Sequence, residues 1–255
     1  MLTSIKKAID IINAFASGQR EWSILELSRH TGMPQPTVHH FISSLREAGW
    51  VVQDPATRRY RLGTRLWEIG CAAVGYQELS EAVRPHLRRL VTECGETVHL
   101  GMVALEDPLS VIYLDRVDSS APVRIVTTVG SHAPSHCSAM GKAIVAYNPE
   151  FERAVLGSPL KRSTADTIVD PEALRDDFAR TRERGYSLSI GEFSNDMVGI
   201  ASPVYDRSGV ATFGIGMWAP ATLMTESRIK EIAPKLVLTA KAISAELGHF
   251  VRLGS

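Results

Sequence analysis

Histidine and cysteine side chains cluster in one stretch where they could do chemistry. His132, His136 and Cys137 fall close together, with His99 further upstream, and imidazole and thiolate are ligands that zinc and copper prefer. The adjacent His136 and Cys137 could also act as base and nucleophile, although no third orienting group is evident beside them. No CxxC or HExxH motif is present. A metal- or redox-responsive centre is one hypothesis for this stretch, catalysis is a weaker one, and we expect no cofactor.

A second histidine-containing stretch, "GMPQPTVHHF" at residues 32–41, indicates a helix. Pro34 and Pro36 fit its first turn, where backbone N–H groups have no intrahelical partner. A buried stripe at helical spacing consists of Val38, Phe41, Ile42 and Leu45. The short polar side chains left facing outward are those of Pro36, Thr37, His39, His40, Ser43 and Ser44.

The elements before this helix give it a role. Apolar residues recur at helical spacing from Ile5 to Phe15, and "SILE" at 23–26 has the form of a capping box that opens a second helix ending at Gly32. A third helix after such a turn is the layout of a helix-turn-helix, whose last helix enters the major groove of DNA. A surface helix without a partner is the alternative at this point.

Two short strand patterns follow the third helix. Residues 50–53 and 60–62 flank a turn that carries Arg58 and Arg59 near its tip. Residues 1–65 contain nine lysines and arginines against five acidic residues, a formal charge of +4 in a chain whose net charge is zero. Local positive charge is the electrostatic footprint of phosphate contacts. We therefore expect a basic wing that contacts double-stranded DNA.

The remaining chain predicts a second, α+β domain. Residues 97–105, 111–117, 123–129, 198–205 and 210–218 have strand patterns, and helices are expected at 64–76, 81–93, 171–184 and 226–247. An antiparallel sheet flanked by helices accommodates this order. Three widely spaced cysteines argue against disulfides. The start lacks a signal-peptide core and no run is long enough to span a membrane, so we expect a cytoplasmic protein with no membrane partner.

Four motifs occur in an order and spacing that resemble the IclR family of bacterial transcription regulators: "RYRLG", "GKAIVA", "RERGYS" and "IASPVYD". The resemblance spans nearly the whole chain. It implies a winged helix-turn-helix over residues 1–63, a linker helix over 64–78 and a GAF-like effector-binding domain over 79–255. It also implies a homodimer, often paired into a dimer of dimers, that binds a palindromic operator.

The resemblance also assigns site residues. In the recognition helix the family usually has basic side chains where this chain has His40 and, in part, Gln35, so we expect the helix to anchor phosphates weakly and Arg58 and Arg59 to compensate. The stretch "SHCSAMGKAIVA" looks like a loop entering a helix, and N–H groups near its start could hold a carboxylate. The expected effector-binding residues are Ser138, Ala139, Met140, Gly141, Ser189, Gly199, Gly216 and Trp218.

Family members that bind small keto acids have an acidic residue, a cysteine and two serines at the positions of Ser189, Gly199, Gly216 and Trp218. This chain differs at all four positions, which disfavours a two- or three-carbon acid as its effector. An aromatic or sugar-derived acid stacked on Trp218 is one interpretation, and a Trp218 that fills the core is the other. Lys142, in the same motif, is expected to cap or pair at the surface.

Together these observations predict a DNA-binding transcriptional regulator, with repression typical of the family, and no enzymatic activity. The effector would act by population shift, biasing the placement of two DNA-binding domains through the linker helix. A metal- or redox-responsive regulator using His132, His136 and Cys137 is the alternative.

Overall fold

A computed structural model describes residues 2–17, 19–74, 76–104, 106–120 and 127–248. By their contacts the residues divide into two units, Met1–Gln77 and Glu78–Ser255. Among the described residues, no helix is both long and apolar enough to cross a membrane.

The first unit is a helical bundle with a two-stranded wing. Its elements are α1 (Thr3–Ala16), α2 (Ile24–Thr31), α3 (Gln35–Glu47), β1 (Val51–Gln53), β2 (Tyr60–Leu62) and α4 (Thr64–Val74). The predicted capping box is confirmed, since Ser23 and Glu26 each accept the other's backbone N–H, and α2 ends at Gly32 with φ +69°. Val38 and Ile42 of α3 are fully buried against α1, Trp22 and β1. The sequence predicts that the third helix begins at Pro34; Pro34 is instead the N-cap, and α3 begins one residue later, at Gln35.

The second unit contains a six-stranded antiparallel sheet among its described residues. The elements are α5 (Tyr76–Cys94), β3 (Val98–Ala104), β4 (Asp107–Val117), β5 (His132–Pro134), α6 (Ala139–Val145), α7 (Pro149–Leu156), α8 (Pro171–Arg184), β6 (Ser187–Ile190), β7 (Met197–Tyr205), β8 (Ala211–Pro220) and α9 (Glu226–Glu246). The strand order is β5-β4-β3-β8-β7-β6. The predicted α+β class is confirmed, with an antiparallel sheet between helices.

The sequence predicts a linker helix over 64–78. Residues 64–74 and 76–78 are helical, as parts of α4 and α5, and residue 75 lies outside the described residues. The strand predicted at 123–129 lies partly outside the described residues, and residues 127–129 are not in a strand.

Helix α6 packs on the face of the sheet that carries glycines. A Cβ atom built on Gly101 or Gly214 would lie 3.1 Å or 2.8 Å from the side chain of Met140, and one on Gly199 would lie 3.0 Å from Cβ of Ala139. The missing side chains therefore let α6 approach the strands closely. The Asp115 side chain, on the opposite face, binds Arg84 of α5 at 2.8 Å.

Candidate functional site

The outward face of α3 is polar, short and exposed. Its side chains are those predicted from the sequence: exposed Gln35, Pro36, His39, His40 and Ser44, and half-buried Thr37 and Ser43. The helix begins without a side-chain cap, and the fixed backbone of Pro36 falls in its first turn. The Ser44 hydroxyl donates to the His40 carbonyl at 3.3 Å, so it partly serves its own helix. This face can approach a groove closely because its side chains are small.

The two arginines of the wing have different surroundings. Arg58 is exposed with φ +59°, and its guanidinium has no ion-pair or hydrogen-bond partner among the described residues. Arg59 Nη2 donates to Glu26 Oε2 at 2.5 Å and to the Glu21 carbonyl at 3.2 Å. The hydrogen bond from Arg59, followed by that from the Ser23 N–H, lowers the pKa of Glu26 to about 2. Arg59 therefore ties the wing to the capping box of α2, while Arg58 is available to a ligand.

The second unit contains a cavity of about 430 Å³, including its open mouth, between α6 and the sheet. Seven of the eight predicted effector residues line it: Ser138, Ala139, Met140, Ser189, Gly199, Gly216 and Trp218. Neighbouring wall positions that the sequence analysis missed are His99, Tyr113, Phe193, Ser194, Met197, Ile200, Ala201 and Met217. The walls are thus mostly apolar and aromatic, with three serines, one histidine and no lysine, arginine or carboxylate among these lining residues.

Gly141, the eighth predicted residue, does not line the cavity. Its Cα packs against the backbone of Ser135, where an added Cβ would lie 2.3 Å from the Ser135 Cα. Its N–H donates to the Ser138 hydroxyl at 3.2 Å, which caps α6. Gly141 is needed for close packing at this point, and its amide is already used.

Several polar groups at the cavity are engaged by the protein itself. Ser138 donates to the Pro134 carbonyl at 2.7 Å, and Ser189 donates to the Cys137 carbonyl at 2.6 Å. In contrast, the Trp218 Nε1 atom is buried and has no hydrogen-bond partner in the described structure. The Trp218 ring lies 6.4 Å from that of Phe193, centroid to centroid. A buried N–H donor without a partner beside aromatic rings is suited to a ligand that has both a flat ring and an acceptor oxygen.

Lys142 does not line the cavity, and its predicted surface position is wrong. Every residue of α6 is buried, and Lys142 is 1% exposed. Its Nζ binds Asp177 of α8 at 2.7 Å and Glu192, just after β6, at 2.6 Å. Burial raises the pKa of Glu192 despite the opposing effect of Lys142. The lysine joins α6 to the segment that begins at Glu192 and continues into the cavity wall at Phe193.

The histidine and cysteine cluster does not assemble as a metal site in the part of the chain that is described. No group of three or more histidine, cysteine or acidic residues there could hold an ion. His132 Nδ1 is hydrogen-bonded to a serine hydroxyl of β4 at 2.7 Å, and His136 Nε2 donates to the Lys161 carbonyl at 3.0 Å. Burial raises the pKa of the Cys137 thiol to about 11, so the thiolate needed for metal binding or redox chemistry is disfavoured.

Two family models match the chain: the IclR helix-turn-helix domain over residues 4–55 and the bacterial transcriptional regulator IclR C-terminal domain over residues 71–245. The HTH-type transcriptional regulator KdgR of Escherichia coli K12 is 31% identical over 250 residues, which cover 97% of this chain and 94% of that protein. The IclR structure of Thermotoga maritima is 26% identical with a TM-score of 0.78, covering 98% of this chain and 100% of that one. An IclR homologue from Microbacterium hydrocarbonoxydans, complexed with 4-hydroxybenzoate, is 24% identical with a TM-score of 0.84, covering 96% and 99%.

A helix-turn-helix with a wing in one unit, and a second unit with a cavity lined by the predicted effector residues, define a DNA-binding transcriptional regulator modulated by a small molecule. Its curated relatives are regulators and not enzymes. The chain belongs to the IclR family.

Proposed function

We propose that this regulator responds to an aromatic acid bound between α6 and the sheet. The observation that carries the proposal is the buried, unpartnered Nε1 atom of Trp218 in a cavity whose walls include Tyr113 and Phe193. A carboxylate oxygen would accept from this N–H, while the ligand ring would lie among the aromatic and methionine side chains. The homologue that binds 4-hydroxybenzoate supports the same ligand class.

A sugar-derived acid fits the same walls less well. Each of its hydroxyl groups would lose hydrogen bonds to water and would need a partner in the cavity. The hydroxyls of Ser138 and Ser189 already donate to backbone carbonyls, which leaves few polar side chains of the wall, among them Ser194 and His99, for the several hydroxyl groups of such a ligand. The sequence left aromatic and sugar-derived acids open, and the cavity favours the aromatic class.

The DNA-binding face comprises the outward side of α3 and the wing. Gln35, Thr37, His39 and His40 would address base edges, since an exposed glutamine can bind adenine through two hydrogen bonds. Pro36, Ser43 and Ser44 would allow close approach, and Arg58 would bind a phosphate. Arg59 would act by holding the wing in place, because its guanidinium is bound to α2.

The assembly would be a homodimer, in some conditions a dimer of dimers, on a palindromic operator. Two copies of one recognition helix read two half-sites related by the same symmetry. We assign DNA binding to residues 1–63, linkage to 64–78 and effector binding to 79–255, and place the protein in the cytoplasm, where bacterial chromosomal DNA lies. The effector would shift the population between placements of the two DNA-binding domains.

A thermal-shift experiment on the full chain tests the ligand class. Benzoate, 3- and 4-hydroxybenzoate, gluconate and glucuronate are compared at equal concentration, with wild type, Trp218→Phe and Trp218→Ser. Stabilisation follows ligand affinity. We expect aromatic acids alone to raise the melting temperature of wild type, a smaller rise for Trp218→Phe and the smallest for Trp218→Ser. Stabilisation by the sugar acids, or equal ligand-induced rises in all three proteins, would contradict the proposal.

A further inference from the structure

His99 is a buried polar side chain at the cavity, and its nearest polar contact is the backbone of Gly216, which is too poorly placed for a hydrogen bond of normal geometry but slightly opposes the fall in its pKa. It is 1% exposed, and neither ring nitrogen has a hydrogen-bond partner within the described residues. The ring of Tyr113 lies beside it in an edge-on arrangement, with the two ring centroids 5.5 Å apart. Buried polar groups in native proteins are nearly always hydrogen-bonded, so an unpartnered imidazole on a cavity wall is a sign of a ligand.

The register of the sheet explains why no side chain of a neighbouring strand pairs with His99. On β8 the residue directly opposite is Gly216, which has no side chain. On β4 the residue directly opposite is Arg116, whose guanidinium is bound to Asp118 and to a backbone carbonyl instead. An irregularity in the same pairing brings Tyr113 beside His99. The side of the imidazole between Gly216 and Tyr113 is therefore open to the cavity.

The imidazole of His99 is neutral in the folded protein. Burial, with a smaller contribution from Arg116, lowers its pKa to about 4. A neutral imidazole has one nitrogen that donates and one that accepts. A hydroxyl group both donates and accepts, so it can pair with whichever nitrogen faces the cavity. A carboxylate can pair only with the donating nitrogen, and an apolar substituent with neither.

We propose that His99 determines specificity by binding a hydroxyl group on the ring of the effector. The proposal rests on the proposed function, because it takes the ligand to be an aromatic acid. Trp218 lies two residues beyond Gly216 on β8, so it is a diagonal neighbour of His99 on the same face of the sheet. The two unpartnered groups would thus bind two different polar groups of one ligand: Trp218 the carboxylate, His99 the hydroxyl.

Calorimetric titration of the full chain with benzoate, 3-hydroxybenzoate and 4-hydroxybenzoate tests this assignment. In wild type, one of the two hydroxybenzoates should bind about tenfold or more tightly than benzoate. In His99→Leu, which removes both nitrogens at similar volume, this ratio should fall to about one, whatever the change in the affinity for benzoate itself. His99→Gln, which keeps a donor and an acceptor, is the matched control and should retain most of the preference.

The outcomes separate the two proposals. Equal affinity of wild type for benzoate and both hydroxybenzoates would overturn the role of His99 while leaving an aromatic-acid effector intact, and this comparison needs no variant to fold. A preference that survives in His99→Leu would also overturn it and would leave His99 as a packing residue against Tyr113. Absence of binding by all three acids would overturn the aromatic-acid effector and the role of His99 with it.

Discussion

Replacing Lys142 with methionine would leave two buried carboxylates facing each other. Asp177 Oδ2 and Glu192 Oε1 contact the same Nζ at 2.7 and 2.6 Å, so the two oxygens are at most about 5.3 Å apart. At an effective dielectric constant of about 20, two unit charges at this distance repel by about 3 kcal/mol. Since breaking a buried ion pair costs about 3–5 kcal/mol, we expect Lys142→Met to destabilise the second unit by about that amount.

Urea and thermal unfolding measure this loss. For a unit of this size, about 2–4 °C is lost per kcal/mol, so the melting temperature should fall by about 6–20 °C. The control is the variant that combines Lys142→Met with Asp177→Asn and Glu192→Gln, which removes the repulsion along with the cation. It should recover part of the lost stability because no uncompensated charge stays buried.

The pH dependence distinguishes repulsion from a mere loss of packing. Without Lys142, the pKa of Glu192 rises further above its ordinary value of 4.5. When folding raises the pKa of a carboxyl group, there is a pH range in which the folded state keeps the proton and the unfolded state has released it. In that range the free energy of unfolding falls as the pH increases. The loss of stability caused by Lys142→Met should therefore be larger at pH 8 than at pH 5. A loss of less than about 1 kcal/mol in the free energy of unfolding, or an equal loss at both pH values, would refute the electrostatic reasoning.

Three other perturbations have defined outcomes. Arg58→Ala should weaken binding to all DNA sequences and reduce the dependence of affinity on salt, whereas Arg59→Ala should mainly lower the stability of the wing. If the affinities of wild type and Arg58→Ala depend equally on salt concentration, Arg58 does not contact DNA. Gly141→Ala should destabilise by about 3 kcal/mol in urea unfolding, because its Cβ would overlap Ser135, and an unchanged midpoint would contradict that contact. Because the pKa of His99 is lowered to about 4, between about pH 6.5 and pH 4 the unfolded state takes up a proton on this residue and the folded state does not. The free energy of unfolding of wild type should therefore fall by up to about 1.4 kcal/mol per pH unit in this range relative to that of His99→Gln. Equal pH dependence of stability in the two proteins would show that His99 is not held neutral.

Local patterns were sufficient to predict the first unit. The capping box at Ser23 and the stripe from Val38 depend on residues a few positions apart, where side-chain spacing determines the contacts. The pair between Arg59 and Glu26 joins residues 33 positions apart, so no helical or strand period could indicate it. Two arginines that look alike in the sequence therefore differ in what they contact.

The cavity is also lined by residues that are distant in the sequence and that local patterns could not bring together. Family resemblance located residues near Ser138 and on β7 and β8, but His99 and Tyr113 come from β3 and β4, whose register the sequence does not specify. One signal was present: "FGIGMW" alternates glycine with larger residues within a strand, which indicates close approach to that face. Lys142 was misplaced because a lysine is rarely buried, and its two carboxylate partners lie 35 and 50 residues away.

The glycines of the sheet also constrain how the specificity of this regulator can evolve. A Cβ on Gly216 would lie 2.7 Å from Cβ of Ala201, its partner on β7, and also 2.7 Å from the backbone carbonyl oxygen of Ile200. Replacing Ala201 with glycine would remove the first overlap and leave the second, which involves the backbone of β7. Changes of side chain at this pair therefore cannot fill this part of the wall, and recruitment of a smaller effector has to draw on other positions around the cavity.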